Sequence, residues 1–246
     1  MEMDRQSSSL NFGVGLFETM RVTEGQIEFL EDHIERLFDS THALNIEWTL
    51  SKEEVRDQVI QYVKTEDLSN CALKIVINEP SLVIMSHRAN TYDANKYNAG
   101  FKLSISEVSR HSSNPIWRHK TTNYWTNKLV RNYLETNEEA IFLNESGALM
   151  EGTISNVFLI HKDCVYTPDL SCGLLAGIMR RQVIDWCRQN KIIVEEKKLY
   201  REDLIEADAV FITNSLMGVM PIVQCIGMPK GQHSWIKELM EVFNGT

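Results

Sequence analysis

The chain has 246 residues, with 25 basic and 34 acidic side chains giving a net charge of −9 with histidine neutral; 43% of residues are hydrophobic and 24% charged. That is the balance of a globular protein. It excludes intrinsic disorder, which needs low hydrophobicity, and the 12 glycines exclude collagen. The acidic balance, with no run of five or more like charges, argues against a nucleic-acid partner, whose footprint would be a basic patch. No apolar stretch approaches the roughly 18 residues that a membrane-spanning helix needs, so no membrane partner is expected.

In chain order, the polar amino terminus, Met1 to Ser9, lacks the apolar segment of a secretory signal. Leu16 to Thr23 reads as a strand, with Gln26 to Phe29 as its hairpin partner across Glu24-Gly25. Glu31 to Leu44 has helical spacing, placing Ile34, Leu37, Phe38, Thr41 and Leu44 on one face. Ser51 with Glu54 three residues on forms a capping-box pattern that opens a second helix, to about Lys64. Strands are expected at Cys71 to Ile77, Leu82 to His87 and Phe101 to Glu107. The serine-rich stretch before Arg118 reads as a linker, giving a first domain over 1–107, a linker over 108–118 and a second domain over 119–246.

The second half opens with a predicted helix from Thr122 to Asn137. Strands follow at Ala140 to Asn144, Ala148 to Met150, Asn156 to His161 and Cys164 to Tyr166. A helix from Gly177 to Asn190, a strand from Ile192 to Glu196, a helix from Arg201 to Ala207 and a strand from Ala209 to Thr213 complete the pattern. The alternation predicts an α+β protein of two domains with mixed or antiparallel sheets. The five cysteines, Cys71, Cys164, Cys172, Cys187 and Cys225, are odd in number, widely spaced and without a CxxC pair. No zinc site is expected from them; they read as free thiols of a reducing cytoplasm.

Three segments of the second half carry chemistry when taken together: His119-Lys120-Thr121-Thr122-Asn123-Tyr124, Met150-Glu151-Gly152-Thr153-Ile154-Ser155-Asn156, and Leu175-Ala176-Gly177-Ile178-Met179-Arg180. Singly, each has an ordinary explanation: a surface lysine, a turn glutamate, a flexible helix entry. Two more occur near the amino terminus, Phe12-Gly13-Val14-Gly15-Leu16-Phe17-Glu18-Thr19-Met20-Arg21 and His33-Ile34-Glu35-Arg36-Leu37. In this order and spacing, from about Asn11 to Val223, the five resemble the fold-type-IV pyridoxal-phosphate enzymes. That family includes branched-chain and D-amino-acid aminotransferases and 4-amino-4-deoxychorismate lyases. The resemblance implies a two-domain α+β fold with pyridoxal 5′-phosphate at the domain interface.

It also implies roles for individual residues. Lys120, in the pattern Lys-x-x-Asn, matches the lysine that holds the cofactor as a Schiff base and then serves as general acid and base. A lysine does this well when desolvation or a nearby cation depresses its pKa. Lys128, further along, reads as a surface residue. Glu151 matches the carboxylate facing the ring nitrogen, which favours the protonated, electron-withdrawing ring. Gly177, Ile178 and Met179 would offer backbone amides and a helix dipole to the phosphate, with Arg36 as its cation and Ser215 as a hydroxyl. Tyr124 is a candidate for the ring hydroxyl. Asn156, closing the Glu151 segment, is also counted with the cofactor-binding residues.

Two stretches distinguish the branches. Asn214-Ser215-Leu216-Met217-Gly218-Val219-Met220-Pro221 resembles the lyase branch, where an Asn-x-Leu-Met stretch recurs. Asn78-Glu79-Pro80 lacks the arginine with which D-amino-acid aminotransferases grip the substrate carboxylate, and Glu79 has the wrong sign for that task. Thr19 matches a threonine that the lyases place near substrate. The resemblance therefore implies elimination of pyruvate from 4-amino-4-deoxychorismate, with an aminotransferase of branched-chain or D-amino-acid type as the alternative. Lys74, Arg88, Arg110, Arg118 and His119 are the cations available to the two substrate carboxylates. A cytoplasmic homodimer is implied as well. The chain departs from the family pattern at Val14, where an aspartate is common, and in a trimmed loop around Glu79 to Leu82.

Overall fold

The structure, a computed structural model, describes residues 11–244, except for the side chain of Glu79. The expectations for Met1 to Ser9 and for the Glu79 side chain lie outside the described residues. The chain divides into two compact units. One runs up to Thr91 and regains His119–Tyr124; the other comprises Tyr92–Arg118 and the chain from Trp125 onward.

The first unit is an antiparallel sheet in the order β2-β1-β3-β4, formed by β1 (Leu16–Thr23), β2 (Gln26–Ile27), β3 (Cys71–Glu79) and β4 (Leu82–Ala89). The β1–β2 turn places Glu24 at φ 51° and Gly25 at φ 77°, the left-handed pair that matches strand twist in a two-residue hairpin. Helices α1 (Leu30–Ala43) and α2 (Lys52–Thr65) cover one face. Helix α2 begins with the expected capping box, Ser51 and Glu54 exchanging side-chain and backbone hydrogen bonds. Strand alternation sends Leu16, Met20, Val22, Leu73, Ile75 and Ile77 into a core with Ile34, Leu37, Val55 and Val59. Each such burial contributes roughly 1.5–3 kcal/mol.

The second unit holds a mixed sheet in the order β10-β9-β8-β11-β12-β5-β6-β7, with β13 added on β12. Its strands are β5 (Phe101–Ile105), β6 (Glu138–Leu143), β7 (Leu149–Gly152), β8 (Asn156–His161), β9 (Cys164–Pro168), β10 (Ile193–Lys197), β11 (Ala209–Asn214), β12 (Gly218–Cys225) and β13 (Met228–Pro229). Its helices are α3 (Ala94–Ala99), α4 (Trp125–Arg131), α5 (Ile178–Gln189), α6 (Arg201–Glu206) and α7 (Ser234–Asn244). Central strands β8 and β11 are apolar on both sides. Phe158, Ile160 and Phe211 pack with Val183, Ile184 and Leu239; Val157, Leu159, Val210 and Ile212 pack with Tyr97 and Leu204. Burial on both faces explains their near-continuous hydrophobic runs.

Three expectations change. The boundary expected at 107/108 falls at 91/92, because β5 pairs in parallel with both β12 and β6 and so belongs to the second sheet. The expected second domain from 119 also loses His119–Tyr124 to the first unit. The helix expected from Thr122 begins only at Trp125 and ends at Arg131. Residues 120–122 are instead extended beside β1: the Phe17 amide donates to the Lys120 carbonyl at 2.8 Å and the Thr122 amide to that of Gly15 at 2.9 Å. The long strand β12 and the terminal helix α7 were not expected from the sequence, although α7 carries Ile236, Leu239, Met240 and Phe243 at helical spacing.

Candidate active site

In the first unit, the pleat of β1 divides its side chains between two roles. Glu18 points with Leu16 and Met20 toward the helices and is buried. There Arg36 of α1 grips it with two hydrogen bonds, Nε to Oε1 at 2.8 Å and Nη2 to Oε2 at 2.6 Å. His33, one helical turn earlier, donates from Nδ1 to Oε2 at 2.7 Å. Burial alone would raise the Glu18 pKa, but the Arg36 and His33 partners overcome it and hold the carboxyl at about 2. His33 is pushed below its ordinary value chiefly by burial, against the pull of Glu18; the charges of Arg36 and Lys120 add to the downward shift. The imidazole is therefore neutral beside an ionised carboxylate.

The expected phosphate arginine, Arg36, is thus fixed in place by a buried anion. Sequence reasoning missed Glu18 and His33. The available signal was a charged residue at an inward position of an apolar alternating strand, opposite His33 and Arg36 at helical i, i+3 spacing.

The face of β1 away from the helices carries Phe17 and Thr19. Thr19 lies opposite Lys74 of β3 in the strand register, so the two share that face. The Phe17 ring has Lys120 Nζ 4.6 Å and Lys74 Nζ 4.4 Å from its centroid, and Tyr124 meets it edge-on at 5.3 Å. Lys120, Tyr124 and Lys74 are thereby gathered round one aromatic ring, with Thr19 opposite Lys74 in the strand register. Partial desolvation pushes Lys74 below the ordinary lysine value.

Of the other candidate cations, Arg88 is exposed and donates to the Ala89 carbonyl. Arg118 is exposed and donates to that of Ser112, and His119 bonds Ser40 at 2.9 Å. Lys128 is exposed on α4, as expected.

In the second unit, Glu151 is the penultimate residue of β7 and is buried. Arg110 donates from Nη1 to its Oε1 at 3.0 Å, and the Leu175 amide donates to Oε2 at 3.1 Å. Arg110 is therefore not a free substrate cation; it is committed to a carboxylate. The turn after Glu151 is moulded round a second buried carboxylate. Glu139 accepts from the Thr153 amide at 2.9 Å, from the Thr153 hydroxyl, and from the Ser155 hydroxyl at 2.8 Å. A Cβ at Gly152 would lie 2.9 Å from the Glu139 carboxylate, so only glycine lets the turn close. Glu139 was also missed from sequence, since its partners are backbone amides and hydroxyls brought in by the fold.

Asn156 donates to the Leu175 carbonyl at 3.1 Å, tying β8 to the entry of α5. Gly177 is the N-cap of α5 and offers no side-chain cap; a Cβ there would collide with Asn156 Oδ1 at 1.9 Å. The amides of Ile178 and Met179 thus open a twelve-residue helix with its positive pole uncapped, an arrangement suited to an anion. Arg180 does not share in it, being buried against Glu196 and the Pro168 carbonyl.

Asn214 at the end of β11 accepts on Oδ1 from both the Leu216 and Met217 amides at 2.9 Å and donates to the Ile154 carbonyl at 3.2 Å. The asparagine of the Asn-x-Leu-Met stretch is accordingly a turn-former that joins the 153–155 and 214–217 turns. Ser215 lies half-buried at that turn. Next to it, Thr213 Oγ1 is buried with no hydrogen-bond partner among the described residues. Within the second unit, a buried carboxylate, helix amides without a side-chain cap and nearby hydroxyls are groups of the kind that pyridoxal phosphate needs; the candidate lysine belongs to the first unit. Among the described residues no cluster of His, Cys, Asp or Glu is arranged to hold a metal ion.

Comparison with known proteins bears on this arrangement. Residues 15–225 match the family model described as amino-transferase class IV. The chain is 29% identical over 241 residues to an aminodeoxychorismate lyase of Bacillus subtilis, covering 91% of this chain and 81% of that protein. It is 25% identical over 250 residues to a D-alanine aminotransferase of Bacillus licheniformis, covering 93% and 85%. The crystal structure of 4-amino-4-deoxychorismate lyase from Pseudomonas aeruginosa superimposes with a TM-score of 0.88 at 21% identity, covering 100% of this chain and 95% of that one, a likeness of fold.

Proposed function

The chain belongs to the class IV aminotransferase family, whose enzymes depend on pyridoxal 5′-phosphate, and on that premise we propose that it is a 4-amino-4-deoxychorismate lyase, releasing pyruvate and leaving 4-aminobenzoate. The observation that carries this reading is the grouping round Phe17. There the candidate lysine amine and the Lys74 ammonium meet one ring, and Thr19 stands opposite Lys74 in the strand register, a grouping suited to a small anionic substrate. The 29% identity to a lyase of B. subtilis supports the same branch.

When bound, pyridoxal phosphate supplies an aldehyde for amine capture and a ring that delocalises negative charge. In this reading Lys120 would hold it covalently, and its amine, once released, would take the proton from the amine-bearing carbon. Glu151 holds a proton on the ring nitrogen. The amides of Ile178 and Met179, the Ser215 hydroxyl and Arg36 bind the phosphate, with Glu18 keeping the Arg36 guanidinium in position. Asn156 acts through the α5 entry that it ties down, and Tyr124 faces the ring hydroxyl. Thr19 orients the substrate and Lys74 binds a carboxylate. The proton taken by Lys120 would pass to the departing enolpyruvate as the adjacent carbon–oxygen bond breaks, so that it leaves as pyruvate, while aromatisation of the remaining ring drives the step and frees the Lys120 amine to hold the cofactor again.

The test is a pair of assays on the holoenzyme. Aminodeoxychorismate should yield pyruvate, whereas an amino donor with 2-oxoglutarate should yield little glutamate. The reverse outcome makes the chain an aminotransferase. Lys74→Met should raise KM for aminodeoxychorismate roughly ten- to hundredfold, as expected for one lost charge-assisted contact, with a much smaller change in kcat. An unchanged KM removes Lys74 from the substrate site.

We read the chain further as a cytoplasmic homodimer. The exposed side chains Trp125, Leu129 and Tyr133, spaced four apart, support association with a second copy, and sedimentation of the purified chain tests it. The free cysteines suit a reducing compartment. Burial pushes the thiols of Cys187 and Cys225 up to about 11, which makes them poor nucleophiles. No helix among the described residues is long and apolar enough to cross a membrane.

A further inference from the structure

Arg110 is a buried arginine whose side chain is only 1% exposed, and a charge so placed needs partners that justify its desolvation. Its guanidinium lies between two aromatic faces, 4.4 Å from the Trp117 ring centroid and 3.5 Å from that of Phe142, which shield it from water. One nitrogen donates to Glu151 Oε1 and the other to Asn127 Oδ1 at 2.7 Å. Asn127 in turn donates to the Thr153 carbonyl at 2.7 Å, so the arginine is braced against the turn that follows Glu151. The Leu175 amide holds the opposite carboxylate oxygen. Glu151 thus receives hydrogen bonds on both oxygens, one from a permanent cation, and only the ionised carboxylate accepts both without giving up an oxygen to a proton.

We propose that Arg110 is a positioning residue that keeps Glu151 ionised and aimed, so that the carboxylate is already charged before any ligand arrives. Arg110 also shares the negative charge of Glu151, which moderates how strongly that carboxylate draws a proton from a ring nitrogen facing it. The strength of the electron sink is then set by the arginine behind the glutamate as well as by the glutamate itself. This role rests on the proposed function where it concerns the ring nitrogen; the ionisation of Glu151 does not depend on that reading.

The experiment is isotope-edited infrared spectroscopy of the full-length chain without cofactor, with labelled glutamate. In the parent protein at neutral pH, no protonated-carboxyl band should be removed by Glu151→Gln. In Arg110→Met such a band should appear, and it should vanish in Arg110→Met combined with Glu151→Gln. Arg110→Lys, which restores the charge, should also abolish it. A merely structural arginine would not give a band that depends on Glu151 and disappears with lysine. Should Arg110→Met fold poorly, the parent protein still decides: a Glu151-dependent protonated band at neutral pH overturns the proposal, as does an Arg110→Met spectrum like the parent's. Failure of the parent chain to bind pyridoxal phosphate would defeat the proposed function and leave these spectra unaffected, so the two are separable.

Discussion

Lys120→Ala should abolish pyruvate release, a loss on the order of 10⁴-fold, because one amine provides both the covalent attachment and the proton transfer. Wild-type protein mixed with pyridoxal phosphate should turn yellow. Borohydride reduction followed by peptide mapping should find the adduct on the peptide containing Lys120. Two other lysines make this a sharp test. Lys128, exposed on α4, should tolerate alanine with unchanged activity. Lys74 is the informative rival: its amine touches the same Phe17 ring and desolvation lowers its pKa, so it has the chemistry of a competing nucleophile. An adduct on Lys74, or substantial turnover by Lys120→Ala, would falsify the assignment of Lys120.

The second large effect concerns stability. The Glu18 carboxyl falls from 4.5 to about 2 on folding, which corresponds to about 3 kcal/mol of stability. Because the folded value is the lower one, that contribution is fully present above pH 4.5 and is lost as the pH falls toward 2. His33 acts in the same direction. Its folded pKa lies below the ordinary 6.5, so the unfolded chain takes up the proton first and stability declines once the pH drops below 6.5.

Urea unfolding followed across this range should therefore show a plateau near neutrality and two successive losses toward acid. Glu18→Gln should destabilise the protein by roughly 3–5 kcal/mol, the cost of leaving a buried partner unpaired, and should remove the lower of the two losses. A variant with parental stability at neutral pH would show that the Glu18, His33 and Arg36 cluster contributes nothing net.

The helices α1 and α2 and strands β1, β3 and β4 were legible in the sequence because each buries one face against one core. Their periodicity therefore survives as a pattern of 3.6 or 2 residues. The ordered motifs were legible for a different reason: attachment, proton holding and phosphate binding each demand a residue type in a fixed local setting. What could not be read was how the side chains pair. Arg110 stood as one of five cations available to the substrate carboxylates until the fold set it behind Glu151. Asn214 resembled a branch marker until its side chain was seen closing the Leu216 and Met217 turn. Glu18 and Glu139, both buried, could not be matched to their partners from sequence alone, because those partners lie 15 and 18 residues away in one case and 14 and 16 in the other.

Residue type and spacing along the chain sufficed for the alternation of elements, the lysine, glutamate and glycine segments, and through them the family. Those are local properties, written in spacing and residue type. Where one unit ends and the next begins follows from pairing at a distance, since β5 belongs to its sheet through β6 and β12, both far along the chain. The tertiary structure also decided that the Lys120 segment is a strand-like addition to β1, and which buried charges stand together. Pairing energies of that kind depend on distance in space and on exclusion of water, and neither quantity exists until the chain has folded.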